Sequence, residues 1–447
     1  MKNNYKLLIM IFLFLPDIVH CQFERLNQNE AMLGGSFGLT WIDGRPHYAF
    51  RIFPEIQFSK VGIGLDLNLE FTPEGKIRKE NFNEFSDYLS IIRYIRYGKK
   101  HDPLYFRIGA LDYATLGHGS IMYLYNNSPA FDTRKIGTEF DIDFNNFGFE
   151  SVYGNFGQSG VMGLRGYIRP IRFTELSSVP ILGNLELGAT LTTDSDEKSG
   201  IIAGDYNSYN NTFLPLIDEG KITIVGLDVG LPLLRTNLLD FDVYFDHSKI
   251  IKFGSGSALG LIADFKGLSL ISLKAKLERR FNGKMYLPSY FNSLYEIERF
   301  RIDKSTGIVI SKIQKLKSAN EGNGYFGELL LNFLGAYNIL GSFQKLDKMP
   351  ESGILHLWTI IDLENLPYLF RAGYDKMQIK NFADIFKMDN RSYLFAEFGY
   401  KIQKYFLLSV VYSWTYTPLR DKTDNIIGYK PQKKIEPRLS FIYPVGI

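Results

Sequence analysis

Val61-Gly-Ile-Gly-Leu-Asp-Leu-Asn-Leu-Glu-Phe71 is the stretch on which the fold turns. Val61, Ile63, Leu65, Leu67, Leu69 and Phe71 share one parity, and Gly62, Gly64, Asp66, Asn68 and Glu70 share the other. Successive side chains of an extended strand point to opposite faces, so one face here is wholly apolar and the other polar or bare. Lys135–Phe144 repeats the pattern, with Ile136, Phe140, Ile142 and Phe144 against Gly137, Glu139, Asp141 and Asp143. So do Phe241, Val243 and Phe245 against Asp242, Tyr244 and Asp246, and Tyr368, Phe370, Ala372 and Tyr374 against Arg371, Gly373 and Asp375. Phe406, Leu408, Val410, Tyr412, Trp414 and Tyr416 form a further apolar face. Weaker alternation runs over 33–43, 46–58, 86–97, 104–112, 147–156, 161–171, 183–193, 222–232, 255–266, 268–280, 325–334, 336–346, 352–363, 391–402 and 435–443. Segments of about ten residues match a tilted strand crossing a bilayer. Turn chemistry such as Asp43-Gly44-Arg45-Pro46 and Asn145-Asn146 separates them.

The N-terminus reads as an export signal. Lys2 and Lys6 precede the nine apolar residues Leu7–Leu15, too short to span a bilayer as a helix, and Pro16 follows. Val19 and Cys21 fit positions −3 and −1 of a cleavage site, which starts the mature chain at Gln22. Lipidation of Cys21 is the rival reading, and Ile18-Val19-His20 fits a lipobox poorly. Cys21 is the single cysteine, so cleavage there excludes a disulfide framework, a thiolate metal site and a cysteine nucleophile. Loss of Lys2, Lys6 and Asp17 takes the net charge from +3 to +2, too little to favour nucleic acid. Aromatics make up 15% of the chain, with 28 Tyr and 36 Phe, material for the girdles at a membrane's two interfaces. A mean hydropathy of −0.09 looks like that of a soluble protein, but a barrel turns only alternate residues to lipid.

Together these features predict an all-β fold: a single transmembrane antiparallel β-barrel over 22–447, after a signal at 1–21, with an even count of about 16–20 strands. A barrel that wide encloses a lumen rather than a packed core. A soluble sandwich or propeller also alternates, but a chain of this length would then split into domains, and no composition break marks a linker. Residues 72–86 and 194–220 are polar and read as long extracellular loops. Segment 281–324 breaks the alternation. Phe291, Leu294 and Tyr295 stand at helical spacing with Ser289 as a cap, which predicts a short helix within 285–300. That helix belongs to a surface loop in the plainer reading and to a lumen plug in the other.

Two constellations carry candidate chemistry. In Thr115-Leu-Gly-His-Gly-Ser120 two glycines flank His118, and Asp132 and Arg134 follow. The plainer reading is a glycine-rich bend between strands. The functional one is an inward-folded constriction lined by His118, Asp132 and Arg134, where opposed charges set selectivity. The second constellation is the inward parity of the strands, with Asp66, Glu70, Glu139, Asp141, Asp143, Asp242 and Asp246 acidic and Arg165, Arg169, Lys274, Lys276 and Arg371 as basic counterparts. Charge on the lipid face costs about 2–4 kcal/mol at the midplane, which by itself sends these residues to the lumen. Asp246-His247-Ser248 holds the residue types of a hydrolase triad, yet strand neighbours face opposite ways and cannot converge. H-E-x-x-H does not occur. No cofactor is expected.

The export signal, the start at Gln22 and the strand pattern resemble outer-membrane β-barrel proteins of Bacteroidota-type bacteria over most of residues 30–445. The resemblance is one of pattern and carries no functional residues across. One departure is the end, Phe441-Ile-Tyr-Pro-Val-Gly-Ile447, where Tyr443 stands four residues short of the aromatic terminus common in such barrels, as a short periplasmic tail would leave it. The resemblance implies the outer membrane of a Gram-negative cell. Lipid and lipopolysaccharide are then the surroundings, the barrel assembly machinery is the partner during biogenesis, and nucleic acid is not a partner. The expected function is a pore for passive passage of small solutes. The alternatives are a non-conducting barrel serving as surface anchor or assembly component, and, behind both, a hydrolase on the rim.

Overall fold

In the computed structural model the described residues are 31–445, apart from 79–81, 83–87, 89, 131–133, 158, 180, 268–269 and 363–365. The signal segment, with Cys21 and Gln22, lies outside them. Neighbouring wall strands are antiparallel, from Ala31–Ile42 against Arg45–Ile52 round to Phe406–Arg420 against Ile426–Val445. Ile426–Val445 then returns to Ala31–Ile42, with Phe37 opposite Leu439 and Gly34 opposite Ile442, and the sheet closes on itself. Two wall strands are broken in mid-course: Arg45–Ile52 continues as Glu55–Phe58, and Val61–Leu65 as Leu67–Phe71. Pro54 sits in the first break, where a residue without an N–H cannot extend the ladder. With each broken strand counted once, twenty strands form the barrel, and each alternating segment of the sequence lands on one of them.

Burial runs inside-out. Phe58, Leu227 and Leu277 are 69%, 66% and 61% exposed, while Arg280, Lys376 and Glu397 are 1%, 0% and 0% exposed. Water around such a molecule would solvate grease and strip charge, the reverse of a soluble domain. Hydrocarbon outside and a polar lumen inside account for it, and the ladder closes so that the first and last strands pair with each other instead of facing lipid as edges. A soluble sandwich or propeller is set aside on the same ground.

The two rims differ. The long connections 72–91, 110–136, 195–221, 283–321 and 380–391 all leave one rim. Short turns such as 59–60, 144–146, 236–238, 334–336 and 404–405 join the other, with 169–185 as its long exception. Long loops mark the extracellular side, so the short-turn rim, which also holds the ends of the first and last strands, is periplasmic. Aromatic pairs flank its turns: Phe144–Phe147 at 5.1 Å between ring centroids, Phe333–Tyr337 at 5.8 Å and Tyr405–Tyr443 at 5.1 Å. These are the girdle expected where amphipathic rings meet the headgroups.

The extracellular loops depart from the sequence reading in three ways. Segment 194–220 is not bare loop but carries a hairpin, Ile201–Asn207 with Thr212–Asp218, whose polar tip hides the strands on either side. The predicted helix shrinks to Tyr295–Glu298, and Ser289 does not cap it; the Ser289 hydroxyl instead donates to the Gly119 carbonyl at 2.9 Å. A second helix, Lys312–Lys317, follows the small hairpin Phe300–Ile302 with Val309–Ser311, and the Ser311 N–H donates to the Gln314 side chain at 2.9 Å.

Candidate functional site

Two of the extracellular loops turn inward. Leu111, Met122 and Tyr125 of 110–136 pack with Tyr290, Phe291 and Tyr295 of 283–321 and with Val152, Val161, Ile222, Ile224 and Ile250 of the wall in one buried apolar cluster. The two loops are stitched together by their backbones: the Tyr123 N–H donates to the Phe291 carbonyl at 2.9 Å, and the Phe291 N–H to the Ile121 carbonyl at 3.1 Å. Gly117 and Gly119 have φ of +53° and +89°, and a Cβ at Gly117 would lie 2.9 Å from the Arg165 side chain. Glycine is therefore required where this loop turns hard against the wall.

The first loop reaches strands all round the ring. The Gly117 N–H donates to Glu150 at 2.8 Å, His118 Nδ1 lies 2.8 Å from Asp246, and Tyr123 donates to Glu328. The Tyr113 ring sits 4.9 Å from His356, and the Thr415 hydroxyl donates to the Pro129 carbonyl at 3.1 Å. Those partners lie on Phe147–Tyr153, Leu239–Ile250, Gly322–Phe333, Gly353–Asp362 and Phe406–Arg420. The two loops are a plug, and this corrects both plainer readings of the sequence, the connecting bend at 115–120 and the surface helix in 281–324. The reason is physical: both segments carry large aromatic and aliphatic side chains that must be covered, and a twenty-strand lumen has the room.

Ion pairs fix the plug to the wall. Arg299 grips both oxygens of Glu296 at 2.8 and 2.9 Å and reaches Asp194, at the extracellular end of Glu186–Asp194, at 2.6 Å. Tyr125 donates to Glu296 at 2.6 Å, and Lys135 pairs with the same carboxylate. Glu298 is held by Lys312 at 2.8 Å and by Lys315. Burial pushes the Glu296 carboxyl up, but Arg299 and Lys135 more than offset it and hold it at about 2. Glu298 behaves alike: burial raises it, and Lys312 and Lys315 bring it to about 2.

The residues singled out from sequence are spread round the lumen rather than gathered. His118 meets Asp246, whereas Arg134 pairs with Asp66 at 2.6 Å in another part of the wall, and Asp132 lies outside the described residues. A single constriction lined by His118, Asp132 and Arg134 is thus not what the described part of the loop builds. Glu139 and Asp141 share Lys100 at 3.5 and 2.8 Å; Asp143 pairs with Arg169 at 2.9 Å on the periplasmic rim. Glu70 takes Arg78 at 3.1 Å and Lys434 at 2.8 Å, Asp242 takes Arg235 at 2.5 Å, and Arg371 takes Glu397. Sequence missed most of these partners, together with Asp194, Asp228, Glu296 and Arg299. Strand parity does put Asp228 on the face of Gly226 and Gly230, but no local pattern marks the plug's own charges.

Asp246-His247-Ser248 does not converge: Asp246 and Ser248 face the lumen, and His247 lies outside, 2.9 Å from Ser257. Two other sites bring Ser, His and Asp together. Asp246 accepts from Ser120 and lies against His118, and Asp375 accepts from Ser293 at 2.5 Å with His356 at 2.8 Å. In both the carboxylate is the hub. A nucleophilic triad needs the imidazole between acid and hydroxyl, so that it can take the hydroxyl proton.

A closed ladder, a greasy exterior and a charged interior define a transmembrane β-barrel of the outer-membrane type, filled from the extracellular side by two of its own loops. No known family's profile and no curated protein matches the sequence. Among solved structures it is similar to the porin OccK5 (OpdH) of Pseudomonas aeruginosa, at 12% identity and a TM-score of 0.33 over 93% of this chain and 98% of that one. It is also similar to the ferric enterobactin receptor PfeA of the same organism, at 8% identity and 0.37, over 93% and 81%. CdiB of Acinetobacter baumannii gives 8% and 0.27, and the chain spans 60% of its length. At such scores the likeness carries no argument, and the barrel rests on its own ladder.

Proposed function

We propose that this protein is an outer-membrane channel for small polar solutes that is closed at rest by its own plug. The observation that carries the reading is the apolar cluster binding loops 110–136 and 283–321 to the wall, because it fills the extracellular half of an otherwise charged conduit. Paired charges of both signs line the wall, which suits a lumen that admits water and small polar molecules when the plug moves. A permanently closed barrel, serving as an anchor or assembly component, is the second reading, favoured by the number of ties between plug and wall.

Planar-bilayer recordings test the conduit beneath the plug that the channel reading requires. The wild-type barrel is expected to be silent at neutral pH, and deletion of 285–320 is expected to open a steady conductance. A deleted barrel that keeps its heat-modifiable gel mobility and stays silent would refute the channel. Should the deletion fail to fold, Arg299→Ala serves, since it frees Glu296 and Asp194 together and is expected to give intermittent openings.

A further inference from the structure

We propose that His118, Asp228 and Asp246 form a site for one divalent first-row metal ion, which ties the plug to the barrel wall. One nitrogen of His118 and one oxygen from each aspartate lie within 4.8 Å of one another. Ligand atoms bound about 2.1 Å from a common ion sit roughly 3–4 Å apart, so small side-chain rotations suffice. An imidazole with two carboxylates is a donor set suited to zinc, manganese or iron.

Two observations besides proximity point to a cation. First, Asp228 and Asp246 are directly opposed across the strand pair Ile222–Arg235 and Leu239–Ile250, and like charges so placed repel. One guanidinium, that of Arg165, serves Asp228 at 2.6 Å while also holding Glu150 at 3.1 Å and Glu186 at 2.7 Å. Asp246 is buried, and among the described residues its only partners are His118 and the Ser120 hydroxyl. Arg280 lines the cavity beside Asp246 but is held by Glu278 and Gln344, and no Lys or Arg among the described residues pairs with Asp246; a buried carboxylate without an ion pair to Lys or Arg is costly, and a metal ion removes that cost. Each Asp228 oxygen has a second lone pair, so Arg165 and the ion can share it. Second, a cavity of about 10 Å³ beside Asp246 and Ser120 is lined by Ser248, Tyr286 and Asn282. Neither polar atom of the Asn282 side chain, itself only 8% exposed, has a hydrogen-bond partner. One water fits that volume and would join the amide to the Asp246 carboxylate, as a metal-bound water would. His118 arrives there because the glycines on either side let the loop turn, and its ring stacks on Tyr244 at 4.0 Å, which fixes its orientation.

The inference goes beyond the channel reading and does not depend on whether solute passes. The test is Zn²⁺ binding to the purified, metal-stripped full-length barrel in detergent, followed by calorimetry. One ion per barrel is expected, and His118→Ala and Asp246→Asn are each expected to weaken binding at least about tenfold. His247→Ala, on the outer face, is expected to bind as wild type. Heat-modifiable mobility checks the fold of each variant, and if Asp246→Asn does not fold, His118→Gln, outside the barrel's ladder, decides alone. Bound Zn²⁺ is also expected to slow protease cleavage within 110–136. No stoichiometric uptake by the wild type, or unchanged affinity in the folded His118 variants, overturns the proposal.

Discussion

At the residue scale the interior and exterior obey opposite rules. Leu277 stands outward near the middle of Ile271–Asn282 and is 61% exposed, a position where an arginine would be harmless in water. In a bilayer Leu277→Arg is expected to destabilise the barrel by about 2–4 kcal/mol, measured by urea titration of folding into liposomes. No loss would remove hydrocarbon from the argument. Glu397 faces the lumen, fully buried, accepting from Arg438 at 2.7 Å and Ser409 at 2.9 Å and pairing with Arg371. Glu397→Ala takes the carboxylate from Arg371 and leaves Arg438 only Glu436, at 3.4 Å, and is expected to cost about 3–5 kcal/mol in the same titration. The first effect needs lipid, and the second does not.

The plug belongs to the scale of elements. Its helices, Tyr295–Glu298 and Lys312–Lys317, are too short to be stable alone and depend on the ties they make. Glu296 and Glu298 titrate near 2 when tied, below the ordinary 4.5 of a free carboxyl. A carboxyl depressed in this way stabilises the docked plug fully above pH of about 4.5, and that contribution disappears as pH falls towards 2. Pepsin cleavage within 283–321 is therefore expected to rise between about pH 4 and pH 2, with bilayer openings over the same range. A plug equally protected at both ends of that range would show that the apolar cluster holds it unaided.

For the whole molecule, closure is the decisive property. Ile426–Val445 pairs on both sides, and its last residues face the start of the chain, with Phe441 opposite Gly35 and Tyr443 opposite Leu33. The final strand thus runs past Tyr443 to Val445, further than the terminal aromatic suggests. Truncation after Arg420 removes the whole strand and exposes free edges in lipid, where unpaired backbone is costly. The truncated chain is expected to lose the compact, heat-modifiable form on gels, and a folded truncated barrel would refute closure by this strand.

Strand position and the face of each side chain were legible in the sequence, and strand number only as a range of about 16–20, because a two-residue period is local: Val61, Ile63 and Leu65 declare their face without reference to anything distant. Glu70, Glu139 and Asp141 were placed in the lumen by the same rule. Their partners were not, since Lys434 is 364 residues from Glu70 along the chain and only closure brings them together. The plug was hidden for the same reason. Its aromatics could be covered by a surface loop or by a lumen with equal local sense, and the pairing of His118 with Asp246, or of Glu296 with Arg299 and Asp194, exists only once the ring has formed. Sequence alone determined that each strand has one greasy and one charged face, because the pleat imposes that order residue by residue. The tertiary structure alone decided that the barrel is filled, because that depends on contacts between segments the pleat does not relate.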